Sequence, residues 1–202
     1  MIRKIGIISM MLLATGIMFA RGISKENFIT KPAKEGWFMG AGIGTQFYVG
    51  DGDGLQSTGY RFSTAMQGSV GKWITPSLGV RGLGEFARVT GGNASGNRDV
   101  MVLINMHADF MVDLVNIIKG ADESRKLTFI PFIGLGMAAN AGSKQLSPSF
   151  NAGGIGLYRI DEKINLFAEF KGSIFNDKID GLALGFMFDG SAILTAGFTY
   201  NF

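Results

Sequence analysis

The stretch INLFAEFKGSIF, residues 164 to 175, decides the fold. Its even positions are Ile164, Leu166, Ala168, Phe170, Gly172 and Ile174, all apolar or small. Its odd positions carry Asn165, Glu169, Lys171 and Ser173, with Phe167 among them. A period of two is the signature of a β-strand, whose successive side chains point to opposite faces. The same reading extends to two other stretches. Between 78 and 86, Leu78, Val80, Gly82, Gly84 and Phe86 share one face, while Arg81 and Glu85 share the other. Between 100 and 114, Val100, Val102, Ile104, Met106, Ala108, Phe110, Val112 and Leu114 oppose a face with Asn105, His107, Asp109 and Asp113.

Period alone does not say which face is inside, because a soluble β-sandwich alternates too. The character of the polar face does. It mixes charges with Gly, Ala, Phe and Leu and lacks the Lys/Glu runs of a solvated surface, which suits a narrow interior filled by side chains. Charged residues are only 17% of the chain, mean hydropathy is +0.24, and no long apolar run follows the first twenty residues. A membrane β-barrel has this profile, since lipid-facing and interior residues average out along each strand.

Turn signals divide the chain into eight expected strands: 37–49, 62–74, 78–89, 100–118, 127–139, 150–160, 164–175 and 191–202. The 62–74 and 150–160 stretches alternate poorly. Thr75-Pro76-Ser77 and Asp161-Glu162-Lys163 are tight turns, whereas the links 50–61, 90–99, 140–149 and 176–190 are longer and rich in Gly, Asn, Asp and Ser. Short and long links take turns, as in outer-membrane barrels. The link KGADESRK, 119–126, is long for its short-turn side, and LALGFMF within 176–190 is a candidate extension of the last strand. The expected fold is all-β: an eight-stranded, antiparallel, up-and-down transmembrane β-barrel over residues 36–202. A soluble secreted β-sandwich is the alternative.

Residues 1–22, MIRKIGIISMMLLATGIMFARG, read as a secretory signal peptide: a basic start at Arg3 and Lys4, an uncharged apolar run, and Ala20-Arg21-Gly22 at its end. Residues 23–35 read as a flexible periplasmic arm. The leader holds Arg3, Lys4 and Arg21 and no acid, so the +3 net charge of the whole chain resides in it. The remaining chain is balanced, with no basic patch for nucleic acid. There is no cysteine, which excludes disulfides, thiolate metal sites and lipid attachment at an N-terminal cysteine. The sequence shows no metal or cofactor signature.

Aromatics gather at strand ends. Trp37, Trp73, Tyr158, Tyr200 and Phe202 are expected at one membrane edge, and Phe47, Tyr48, Tyr60, Phe62, Phe150 and Phe175 near the other. The chain closes on TAGFTYNF, in which Phe198, Tyr200 and Phe202 share the parity of Leu194 and Ala196. A barrel pairs its last strand with its first, so a strand can run to the final residue. This ending looks like the signal by which barrel-assembly machinery recognises its substrates.

With these residues in view, the chain resembles the small outer-membrane β-barrels of Gram-negative bacteria, the group of the outer membrane protein A transmembrane domain and outer membrane protein X. WFMGAGIGTQFYVGD, KWITPSLGVRG, ADFMVDLVNII followed by IPFIGLGMAA, and TYNF carry the likeness over about residues 36 to 202. The resemblance implies outer-membrane lipid and lipopolysaccharide as surroundings and four surface loops open to an extracellular partner. The chain lacks the peptidoglycan-binding domain of outer membrane protein A, so cell-wall tethering is expected to be missing.

The candidate site is interior. Arg81, Glu85, Asn105, His107, Asp109, Glu169 and Lys171 point inward by parity. Opposite charges in so narrow a lumen are expected to pair, because a lone buried charge is costly. The resemblance implies a network that fills the lumen and, in some members, gates a small ion path. Two readings follow: a static polar plug, or a small ion-conducting channel. Asn105-x-His107-x-Asp109 is the one candidate for catalysis, with neighbours about 7 Å apart along one strand face. It lies mid-barrel with no His-x-Ser pair, which argues against a lipid-modifying enzyme. Asp51-Gly52-Asp53-Gly54 is half a calcium loop without the later ligands, and reads as polar loop. Gly40-Ala41-Gly42-Ile43-Gly44 and Gly134-Leu135-Gly136 read as close strand packing.

Overall fold

The computed structural model describes residues 36–49, 62–92, 98–122, 124–141, 145–176 and 188–202. The leader, the 23–35 arm and most of the long links lie outside them. Eight strands follow in chain order: β1 (Trp37–Val49), β2 (Phe62–Trp73), β3 (Leu78–Gly92), β4 (Arg98–Val112), β5 (Leu127–Asn140), β6 (Gln145–Arg159), β7 (Ile164–Asn176) and β8 (Phe188–Asn201). Each pairs antiparallel with its neighbours in sequence, and β8 returns to β1, so the sheet closes into a barrel. On β1, Thr45 faces Thr64 of β2 on one side and Leu194 of β8 on the other. Closure removes the unpaired edge of an open sheet. The soluble sandwich is thereby overturned: this is one closed up-and-down barrel.

The alternation resolves into wall and lumen. Ile43, Met66, Phe86, Met106, Ile133, Leu135, Phe170 and Leu194 stand exposed on the outer wall. Arg81, Glu85, Asn105, His107, Asp109, Glu169 and Lys171 are buried inside it. β2 and β6 obey the same rule despite their weak pattern. On β2, Phe62, Met66 and Val70 face out while Ala65, Gln67 and Gly71 face in. Small inward residues blur the contrast in sequence without changing the pleat.

Two tight turns close one end. In the first, Thr75 Oγ1 accepts the Leu78 amide at 2.9 Å. In the second, Asp161 Oδ1 accepts the amides of Lys163 and Ile164 at 2.8 and 2.7 Å. The third connection at this end corrects the expected fourth strand. β4 stops at Val112, and residues Leu114–Lys119 form a short helix, α1. Asp113 caps it, accepting the Asn116 amide at 2.9 Å, so the backbone turns where a capping side chain is available. Ile117 is buried beneath the helix. Arg125 Nη1 then reaches back to Asn116 Oδ1 at 2.6 Å. Exposed Asp122 is held below the usual carboxylate range by hydrogen bonds from Ser124. The link is long because it carries its own fold.

Candidate functional site: the barrel lumen

β3 and β4 pair in a register that sets Arg81 opposite Asp109 and Glu85 opposite Asn105. β7 brings Glu169 and Lys171 to meet them inside the barrel. Arg81 sits at the centre. Its Nε donates to Asp109 Oδ2 at 2.9 Å, and its Nη1 and Nη2 donate to the two oxygens of Glu169 at 2.7 and 3.2 Å. The guanidinium therefore clamps two carboxylates at once, the geometry that its planar fork favours. It also lies over the Phe132 ring, 4.7 Å from the centroid. Gln67 Nε2 donates to Glu169 Oε2 at 3.2 Å.

The chain of contacts continues through histidine. His107 Nδ1 lies 2.5 Å from Asp109 Oδ1, and its Nε2 lies 3.1 Å from Lys171 Nζ. Lys171 in turn forms an ion pair with Glu85. One connected network thus runs Gln67–Glu169–Arg81–Asp109–His107–Lys171–Glu85. Glycine makes the room for it. A Cβ at Gly134 would collide with the Asp109 carboxylate, and one at Gly136 would stand 2.5 Å from His107 Cβ. The close packing expected of Gly134-Leu135-Gly136 is packing against these two side chains and the β4 backbone beside them.

Asn105 belongs to a different tier. Its Nδ2 donates to Asn151 Oδ1 at 2.8 Å, and its Oδ1 accepts from Ser149 Oγ at 2.8 Å. Ser173 Oγ donates to Asn151 Oδ1 at 2.7 Å. Of the seven interior residues expected from parity, six join the charged network and Asn105 joins this neutral one. Gln67, Ser149 and Asn151 were missed because they lie on β2 and β6. Their even spacing with inward neighbours was the only signal.

Between the network and the short turns lies an apolar tier. Phe38, Met111, Ile130, Phe132, Ile155 and Phe167 are buried together, with Trp73 and Leu157 packed against them. This places Trp73 inside, not on the outer wall with the interface aromatics. Its ring lies 6.3 Å from that of Phe38. It fits because its partner across the ladder is Gly79, where a Cβ would meet the indole at 2.9 Å. Phe175, expected at the opposite edge, is likewise buried inside.

The other edge residues face out. Trp37 and Tyr158 are exposed, and Lys72 Nζ lies 5.2 Å from the Trp37 ring. Phe198 and Phe202 are exposed on β8 and just beyond it, and Tyr200 packs edge-to-face with Phe202 at 5.5 Å. The Phe202 amide donates to Trp37 O at 3.0 Å, so the aromatic ending is tied to the first strand. At the far edge, Phe62 and Phe150 are exposed, and Phe47 packs on Phe62 at 5.2 Å. Tyr60, the side chain of Tyr48 and Asp51–Gly54 lie outside the described residues.

No protein-family model matches the chain, and no curated protein matches it in sequence. Solved structures do. Neisserial surface protein A superposes with a TM-score of 0.57 at 16% identity, over 82% of this chain and 97% of that one. The outer membrane protein OprG of Pseudomonas aeruginosa gives 0.51 at 13% identity, over 84% and 97%. The chain therefore has the fold of small eight-stranded outer-membrane barrels and spans nearly the whole length of each of these two.

Proposed function

We propose that the protein is a structural β-barrel of the bacterial outer membrane, exported by its signal peptide, with a plugged lumen and four loops offered outside for interaction. The observation that carries this reading is the inversion of the ordinary pattern. Large apolar side chains cover the outer wall while charges and amides are buried within it. In water such a wall would be a large exposed apolar surface; in lipid it is the favourable face. Trp37 and Tyr158 then sit at the headgroup level, among outer-membrane lipid and lipopolysaccharide. Phe198, Tyr200 and Phe202 present the strand that barrel-assembly machinery receives. The plug is double: the paired charges and, below them, the apolar tier. Both ring nitrogens of His107 are already engaged, by Asp109 and Lys171, which speaks against a catalytic base. The test is heat-modifiability in an isolated outer-membrane fraction. An unboiled band that migrates differently and stays with the membrane is expected; a soluble protein with one unchanged band overturns the reading.

A small ion-conducting channel is the second reading. It is favoured by one observation. Gln46, Ser63, Ser191 and Thr195, on the β8–β1–β2 side of the lumen, hold buried side-chain polar atoms with no hydrogen-bond partner among the described residues. Groups of this kind are satisfied by water. Planar-bilayer recording decides: discrete conductance that changes in Arg81→Met or Glu169→Gln supports a channel, and silence removes it.

A further inference from the structure

The contact between His107 and Lys171 fixes a proton count. Two nitrogens 3.1 Å apart make a hydrogen bond only if one donates and the other accepts. A lysine ammonium is donor only, and an imidazolium donates from both ring nitrogens. One of the two groups is therefore short of its full complement of protons, and the pair carries at most one positive charge. Lys171 is ion-paired with Glu85 and so keeps the charge. His107 is then neutral, with Nδ1–H donating to Asp109 Oδ1 and a bare Nε2 accepting from Lys171.

Among the described residues this leaves the network unbalanced. Glu85, Asp109 and Glu169 face two positive charges there, Arg81 and Lys171. The groups around His107 come from every neighbouring strand: Asp109 on its own strand β4, Arg81 and Glu85 on β3, Lys171 and Glu169 on β7. On β5 the residue opposite His107 is Gly136, which brings no charge. One more proton would balance the charges, and the vacant position for it is His107 Nε2. Adding it there breaks the hydrogen bond that holds Lys171 to the ring, since both nitrogens would then donate.

We propose that the His107–Lys171 pair is a single-proton switch inside the barrel: acid uptake at Nε2 neutralises the network and releases Lys171 from the ring, leaving it to Glu85 alone. The inference rests on the interior geometry and not on what the loops bind, so it stands or falls separately from the function proposed above.

His107 is the sole histidine, so its ring nitrogens can be read without ambiguity. The experiment is nitrogen-15 NMR of histidine-labelled protein, folded in detergent micelles, titrated downward from neutral pH. At neutral pH we expect Nδ1 protonated and Nε2 bare, the minor tautomer of free histidine. On acidification Nε2 gains its proton while the amide spectrum remains that of a folded barrel, and the Lys171 side-chain resonances shift in the same step. In Lys171→Met, the neutral-pH preference for the Nδ1–H tautomer persists only in part, because Nε2 no longer has a donor. The wild-type titration decides even where that variant does not fold. A ring doubly protonated at neutral pH, a bare Nδ1, or a ring that stays neutral until the barrel unfolds each overturns the switch.

Discussion

The lumen has two floors that solve the same problem differently. Around Arg81 it holds charges; a few residues nearer the short turns it holds Phe38, Phe132, Phe167 and their neighbours. Both floors are side-chain packing inside the same closed sheet. They differ in what a single change leaves behind. Truncating an apolar residue leaves a hole that neighbours can partly fill. Removing one ion of a buried network leaves its partners charged and unpaired. The charged floor is thus specific and brittle, and the apolar floor is tolerant.

Breaking that contrast is straightforward. The largest effect is expected from Arg81→Met, which strands Asp109 and Glu169; it is predicted to cost about 3–5 kcal/mol, read as a lower urea midpoint in micelles. A loss below that of an apolar truncation would refute the brittle floor. Ile130→Ala, in the apolar tier, is predicted to cost about 2–5 kcal/mol while leaving the histidine NMR signals of the floor above in place. Movement of those signals would show that the floors are coupled. Gly42→Ala sharpens the comparison from the opposite direction. Its Cβ would stand 2.8 Å from Phe167 Cζ, and overpacking of this kind costs about 1–3 kcal/mol; near-wild-type stability would mean that the apolar floor yields. The smallest effect belongs to the outer wall. Lys72→Gln removes the cation over Trp37 and is expected to change the midpoint by no more than about 1 kcal/mol.

The contrast also explains what the sequence made legible. Charge on alternate positions of β3, β4 and β7 is a strong signal, and it placed Arg81, Glu85, His107, Asp109, Glu169 and Lys171 inside. The apolar floor has no such signal. Phe167 interrupts the polar face of β7, Phe38 and Phe132 share their inward faces with glycines, and a phenylalanine inside a barrel looks the same in sequence as one facing lipid. That ambiguity put Trp73 and Phe175 on the outer wall. α1 was hidden for a similar reason, since DLVNII continues the apolar run of β4 and only the cap at Asp113 ends it. The β2 and β6 contributions were lost where small inward residues flatten the alternation.

The seam between β1 and β8 has a consequence for time. Every other ladder joins strands adjacent in sequence and can form locally as a hairpin. The seam pairs Val49 with Gly190 and Phe38 with Asn201, close to the two ends of the sheet. Contacts of such separation form slowly, after the rest of the chain is in place. Until they do, β1 and β8 are both open edges, each a template for a foreign strand. The half-made sheet therefore has a waiting period in which two edges stand open, and both are covered in the same step when β1 meets β8.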